Sequence, residues 1–447
     1  STFQVSSFKF YYFPMYRAPF HRKILPWLFV VVFFAVAPAL IYYTAGYRYN
    51  PKKGLLERHG TIIVDSSPPG AHIELDGRDT GETTPITLQN IAQGSHIIRV
   101  SKPSYSTWEK RLDARSEQVT FANDIRLWPT GLPELVLSAP IESVAENATR
   151  DQLALGLKRD RDMAMLLWSP DQPSSSVPIP ETTSGTSILL RWQPQGQALE
   201  IRNRDQPDRI WWIRTAARAP YAEVVRHGFT RWSPADLVSV QSKTIERMHV
   251  RDKSILRESL PFNALDQEDD FQLRITTSSE SMTLVKTSLL SRQWELPPGA
   301  WRIASVDRST VLLRDRERWL AVFTREKNPY AGSAVGDDPR WLPRAEIPTA
   351  LLVHQNELWL WVMGQEPMLL WRQSDPIVQA LWHRSGKNVF IATRTQALAL
   401  ELDDRNGRIV TRLADFSVIT GMGMIDRDLY IAGTREGRTG LWKVSVE

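Results

Sequence analysis

Residues 378–404 read VQALWHRSGKNVFIATRTQALALELDD. Apolar runs at 378–382, 389–392 and 397–402 alternate with polar turns, the first of which carries Ser385-Gly386-Lys387. Short runs of this kind, bounded by glycine and polar residues, predict strands rather than helices. The same grammar recurs in WRIASVDRSTVLLRDRERWLAVF (301–323), TALLVHQNELWLWVMGQEPMLLWRQ (349–373) and VITGMGMIDRDLYIAGTREGRTGLWKV (418–444). Successive starts near Trp301, Pro348, Ile377 and Val418 scatter around the period of about 40–45 residues that marks four-stranded propeller blades.

Looser strand pairs carry the pattern back towards residue 130: QLALGLKRD with MAMLLWSP, SILLRWQPQGQALEIRNRD with IWWIRT, and TLVKTSLLSRQWEL. Residues 130–447 are therefore expected to form a β-propeller of about seven blades. Six or eight stay open, because residues 216–290 blur the repeat. Pairing of the first strand, near residues 132–137, with the last blade would close the ring and remove exposed sheet edges. Three stretches read as loops: the Ser/Pro-rich 172–187, the acidic LDQEDD at 265–270, and the Gly-containing 324–341.

A different signal stands near the start. Residues 24–43, ILPWLFVVVFFAVAPALIYY, hold twenty residues and no charge. At helical rise they cover the roughly 30 Å hydrocarbon core of a bilayer. Trp27, Tyr42 and Tyr43 sit where aromatic belts form, and Pro38 is expected to kink or loosen the helix. The run is too long for the hydrophobic region of a cleaved signal. It is read as a transmembrane signal anchor over 24–45, with a cytoplasmic tail at 1–23 and a juxtamembrane linker at 46–59.

Charge agrees with that division. Through Gly60, Lys9, Arg17, Arg22, Lys23, Arg48, Lys52, Lys53 and Arg58 face Glu57 alone, a net of +7, so the chain's +5 leaves −2 for the remainder. The basic balance belongs to the membrane flanks, and a nucleic-acid face is not expected. With 0 cysteines, disulfides, thiol nucleophiles and Cys-ligated zinc are excluded.

From Thr61 the pattern turns to half-buried strands, with Ile63, Ala71, Ile73 and Leu75 expected on one face. Pro68-Pro69-Gly70 and Asp76-Gly77 read as turns. Pro68, Gly70, Ala71, Asp76, Gly77, Gly81, Thr84, Pro85, Gly94, His96, Tyr105 and Trp108 then follow in an order that resembles the PEGA domain. The namesake glutamate is Pro69 here. The resemblance spans roughly residues 60–128 and implies a small extracytoplasmic β-sandwich whose motif is structural. It also makes the chain similar to membrane-anchored PEGA-domain proteins of the bacterial envelope. His96 is read as a packed strand residue.

The chain as a whole is thus expected to be mainly β: one N-terminal transmembrane helix, a PEGA-like sandwich over 60–128, and a propeller over 130–447. The eight histidines are scattered, and HExxH, Gly-x-Ser-x-Gly, Walker A and GxGxxG are absent. No catalytic, cofactor or metal residue is assigned. Trp192, Trp211, Trp212, Trp359, Trp361 and Trp371 are candidates to stack on sugars at an open mouth, but are read mainly as blade core. The expected function is a single-pass envelope protein whose C-terminal domains lie outside the cytoplasmic membrane. Its partners would be the lipid bilayer and an envelope protein or cell-wall glycan. The alternatives are a wall or polysaccharide hydrolase on a propeller scaffold, and a structural subunit of an envelope machine.

Overall fold

The computed structural model describes residues 20–44, 47–50, 55–116, 118–147, 152–160, 162–179, 188–193, 196–203, 209–214, 222–226, 229–233, 236–241, 243–249, 254–261, 264–275, 282–287, 292–307, 310–324 and 330–447. Most of the expected tail and parts of the linker, of the 172–187 loop and of the 324–341 loop lie outside these residues.

The helix Phe20–Thr44 is long and apolar enough over Trp27–Thr44 to cross a membrane, judged by length and composition. It runs unbroken through Pro38. Trp27 is 71% exposed, Tyr42 50% and Tyr43 60%. At its C-terminal end the Thr44 hydroxyl donates back to the Leu40 and Ile41 carbonyls, both at 3.0 Å.

The chain divides into two compact units. One runs through Val100 and adds Glu109–Ile125; the other comprises Ser101–Trp108 and Arg126–Glu447.

In the first unit, two four-stranded sheets carry the β-structure. Leu55–Ser67 pairs with Tyr47–Asn50, Ile86–Ala92 and Val119–Arg126, while the other sheet runs in the order Arg78–Thr83, His72–Leu75, Gly94–Ser101, Trp108–Ala114. Strict alternation along Trp108–Ala114 shows one face buried and one in water. The inward face of Leu55–Ser67 carries Gly60, Ile62, Val64 and Ser66, so Ile63 lies on the opposite face from the one expected. Ile62-Ile63-Val64 is a continuous apolar run, and such a run does not reveal its own parity.

The second unit contains eight four-stranded sheets among the described residues. They occupy 141–179, 188–226, 229–259, 264–295, 302–335, 340–372, 377–415 and 418–445, the eighth gaining Glu134–Leu137 as its outermost strand. The first seven are antiparallel meanders of consecutive strands, and the eighth is antiparallel throughout. A separate apolar cluster joins each sheet to the next. Met165 and Leu167 of the first meet Trp211 and Ile213 of the second, and Phe390 of the seventh meets Met422 and Ile431 of the eighth. The last cluster joins Tyr430 and Leu441 of the eighth sheet to Val144 and Leu153 of the first, so the row returns on itself.

Two-sided packing explains the sequence pattern. In Asn388–Thr393 every residue is buried. Val389 and Ile391 pack towards the sixth sheet while Phe390 packs towards the eighth. Strands covered on both faces read as continuous apolar runs.

Closure follows the expected route. Glu134, Leu135 and Leu137 pair with Lys443, Trp442 and Leu441. Glycine makes room for this seam: a Cβ on Gly440 would lie 2.1 Å from the Leu137 carbonyl oxygen.

Among the described residues the second unit has eight sheets, one of the numbers left open beside the favoured seven; residues 216–290 blur the repeat because they hold strands with polar inward positions. Three expectations are corrected. LDQEDD is a loop only at Asp269-Asp270, which form a turn: Ala264–Glu268 is the first strand of the fourth sheet, and Asp266 is 0% exposed. Within 172–187, Gln172–Ile179 is an outer strand, where proline removes no shared ladder bond. Within 324–341, Tyr330–Val335 closes the fifth sheet and Arg340–Trp341 opens the sixth, ahead of the start expected near Pro348. Small residues in Tyr330–Val335 and a first strand of 2 residues left no apolar run to read.

Gly440→Val should lower the denaturation midpoint by the equivalent of about 1–3 kcal/mol, whereas Gly131→Ala, with nothing within 4 Å of its added carbon, should leave it unchanged. Urea titration followed by tryptophan fluorescence reads both.

Candidate functional site

Charged side chains from several sheets meet inside the ring. Arg191, on Ile188–Trp192 of the second sheet, lies 3.1 Å from Glu200 and 3.6 Å from Asp338. Arg202 binds Glu200 at 2.7 Å from the same side of the second sheet. Asp338 immediately precedes the sixth sheet and also receives Arg314 of the fifth. Second and sixth positions are opposite in a ring of eight, so the Arg191–Asp338 pair spans its middle. The Asp338 side chain is 31% exposed.

Electrostatics sorts these groups. Burial alone would raise the Asp338 carboxyl, but the charges of Arg191, Arg314, Arg202 and Arg340 outweigh it and hold the group below the usual carboxylate range. Burial opposes the charge on Arg191, yet Glu200 and Asp338 raise it. Glu146, near the end of Ile141–Asn147, behaves differently. Burial pushes its carboxyl up, and the Met424 N–H at 2.9 Å and the charges of Arg340 and Arg384 do not compensate.

A second set is fully enclosed. Arg231, 2% exposed, donates Nη1 to both oxygens of Asp266 at 2.8 and 3.0 Å. Its Nε and Nη2 reach Glu268 Oε2 at 3.0 and 2.6 Å, and Nη2 also reaches the Gln267 carbonyl at 2.7 Å. Nη1 meets the Ile303 carbonyl at 3.2 Å, so one guanidinium bridges the first strands of three successive sheets. Arg247 completes the pairing at 3.1 Å from Glu268. Burial raises the Glu268 carboxyl, but the Arg231 charge and the bonds from Arg247 and Arg231 leave it lowered. Alternation of Ala264, Asp266 and Glu268 was the available signal; their charge hid it.

His383 and several tryptophans serve packing. His383 is 1% exposed, with Trp128 and Phe390 edge-on at 5.5 and 5.6 Å. Burial, with the charges of Arg126 and Arg384, drives it down to about 4. Trp211, Trp212 and Trp361 are 0%, 2% and 0% exposed and form blade core, while Trp192, Trp359 and Trp371 are half-buried. Among the described residues no three His, Asp or Glu side chains come together in a metal-holding group.

In the first unit the motif residues converge on Thr84. Its hydroxyl meets Ser66 Oγ at 2.7 Å and accepts the Ala71 N–H at 3.1 Å. Its carbonyl accepts the Gly70 N–H at 2.8 Å, and its own N–H donates to the Ala71 carbonyl at 2.9 Å. Ser67–Pro68 and Thr84–Pro85 flank this hub. Asp76 (φ 51°) and Gly77 (φ 74°) form a two-residue hairpin with both φ positive, and Gly81 (φ 72°) and Gly94 (φ 143°) follow. His96 does find an acid: Nδ1 lies 2.7 Å from Asp76, which also accepts the Ile97 N–H at 2.9 Å. Burial raises the Asp76 carboxyl, but the bonds from His96 and Ile97 and the charges of His96 and Arg78 leave it lowered. In the second unit, Tyr105 bridges to Pro129 and Trp108 Nε1 lies 3.4 Å from Glu401.

Residues 59–127 match the PEGA domain. The Thr84 hub and the Asp76-Gly77 hairpin lie within the matched residues. No curated protein matches the chain in sequence. Among solved structures, the C-terminal WD40 domain of Sif2 is similar over 71% of this chain and 99% of its own, at 11% identity and a TM-score of 0.45. The Dos1 propeller is similar over 70% and 94%, at 11% and 0.42. Apo AztD from Citrobacter koseri is similar over 66% and 99%, at 9% and 0.41. The ring stands on this chain's own strand pairing and interleaved cores.

Thr84→Val should destabilise the PEGA domain by about 1–3 kcal/mol, since it leaves the buried Ala71 N–H without that acceptor; hydrogen exchange at Ala71 in the full chain reads the loss. Glu146→Gln tests the ring centre. A raised carboxyl means the folded state holds its proton more tightly, so wild-type stability falls as pH rises above the ordinary carboxylate range. The variant should be the more stable form at about pH 8, and the gap should close as pH falls towards about 4.5. Urea midpoints across that range measure it.

Proposed function

We propose that this chain is a single-pass protein of the bacterial cell envelope. The helix anchors it with the N-terminus cytoplasmic, the PEGA domain stands outside the membrane, and an eight-bladed propeller binds or scaffolds another envelope component without catalysing a reaction. The observation that carries the reading is the helix. Over Trp27–Thr44 none of its residues is buried by protein. An apolar surface covering the whole circumference needs a partner, and a bilayer supplies one.

The propeller's role as a binding module is supported by its construction. The sheets spend their apolar residues on each other, leaving loops at both ends of the ring for recognition. An envelope protein or cell-wall glycan remains the proposed partner.

One observation favours the hydrolase reading. The ring centre pushes the Glu146 carboxyl up and holds Asp338 down, both within the field of Arg340, and divergent carboxyls are what acid and base roles require. Asp338, however, is held by Arg191 and Arg314, which suits an ion-pair post better than a nucleophile.

Expressed in a bacterial host, the full chain should stay with membranes through alkaline carbonate, and deletion of 24–45 should release it. Protease added to spheroplasts should degrade the propeller; protection of the C-terminal epitope would reverse the orientation. Cross-linking in intact cells followed by mild-detergent purification should recover a stoichiometric envelope component. Turnover of wall polymer that disappears in both Glu146→Gln and Asp338→Asn would replace binding with hydrolysis.

A further inference from the structure

A cavity of about 250 Å³ lies wholly within the second unit, against the outer strand of the seventh sheet. One wall is residues 411–415 of that strand, Val410–Asp415. The other is residues 128–133, which lead into the seam strand Glu134–Leu137, and Arg435 of the eighth sheet also lines it. Val410–Asp415 is an edge: among the described residues it pairs with Gln396–Glu401 and with no other strand. An edge strand keeps alternate N–H and C=O groups turned outward, a template for a further strand.

The cavity walls are positive and apolar. Arg435 is 16% exposed, and among the described residues its guanidinium meets only Glu436, at 3.3 Å, whose carboxylate is 75% exposed. Arg412 lies 3.5 Å from Asp415, both exposed. Asp415 is the one carboxylate in the lining, and Gln396 holds it as well, at 3.4 Å. Ion pairs with exposed carboxylates are worth little, so both arginines can take another acid at small cost. Pro129, Pro133 and Leu413 supply apolar wall, and Leu132 lines the cavity while 83% exposed.

Size and wall chemistry select the ligand. The volume of about 250 Å³ is below the roughly 300–1,000 Å³ of clefts that bury a small molecule. Set along a strand edge, it suits a side chain of a longer polymer. Trp128 is 3% exposed and packs edge-on against Phe390 at 5.3 Å, so its ring is not open to stack on a sugar. Backbone groups and arginines remain, and these recognise a peptide with an acid.

We propose that Val410–Asp415 accepts an extended acidic peptide of a partner protein as an added strand, with an aspartate or glutamate side chain of that peptide entering the cavity to meet Arg435 and Arg412. Main-chain bonds supply affinity and the cavity supplies selection. The inference rests on the reading of the propeller as a binding module and names its site; it does not need the anchor.

Fluorescence anisotropy on the full chain in detergent tests it. The probe is a blocked, labelled heptapeptide alternating threonine and valine around one central glutamate. It should bind saturably, and glutamine in place of the glutamate should weaken binding about tenfold, the loss of one charge-assisted contact. N-methylation of one alternating set of probe residues should abolish binding, and of the other set should leave it. Arg435→Gln should erase the preference for glutamate over glutamine. If Arg435→Gln does not fold, Arg412→Gln, at an exposed position, decides by the same comparison. No saturable binding, a preference unchanged in the variant, or equal effects of the two N-methylated sets overturns the proposal. Failure of the probe with an envelope component still recovered by cross-linking removes this cleft and leaves the binding reading. A probe that binds with no component recovered removes that reading and leaves the cleft.

Discussion

The hydrogen bonds between Glu134–Leu137 and Arg438–Ser445 hold the second unit to its shape. A row of antiparallel sheets has two ends, and each end exposes one face of a strand pair built to be covered on both. Here the covalent continuation of Glu134–Leu137 is the first strand of the first sheet, while its hydrogen bonds belong to the eighth. The seam is thereby crossed once by chain and once by ladder. The apolar cluster shared by Tyr430, Leu441, Val144 and Leu153 then fills it. Gly433 and Gly440 sit opposite one another in this last sheet, where the neighbouring backbones come too close for a side chain.

That constraint also explains what the sequence displays. Runs such as Val389–Ala392 were legible because both faces of the strand are dry, and closure by the strand after residue 132 was legible because an unclosed ring leaves edges. The PEGA domain was legible through its turn residues. Asp76-Gly77 needs two positive φ values, and few residue pairs supply them. What stayed hidden has a common cause: strands that do not look apolar. Ala264–Glu268 buries acids, Tyr330–Val335 is built of small residues, and Gln172–Ile179 carries prolines on an outer edge. The ring-centre cluster was hidden for another reason. Arg191 and Asp338 are far apart in sequence, and only closure places them on opposite sides of one space.

The two buried charge sets differ in kind. Around Arg231, each donor of the guanidinium that the structure describes is met, and two arginines balance two acids at short range. Such a set rigidifies the contact between three sheets and has no capacity left. At the ring centre two acids are each shared between arginines, Glu200 by Arg191 and Arg202 and Asp338 by Arg191 and Arg314, so the links there run between distant sheets rather than along neighbouring ones.

The completeness of the Arg231 set has an evolutionary consequence. Removing any one member strands an opposite charge in a dry interior, at about 3–5 kcal/mol, a large fraction of the stability a folded domain has. Single substitutions at Arg231, Asp266 or Glu268 should therefore be eliminated. Replacement of the whole set by apolar residues of similar volume can be neutral. These positions are expected to drift only in concert, so the third and fourth sheets, which supply the charged side chains, should be inherited and recombined as one block, while the sheets joined by apolar packing alone exchange more freely.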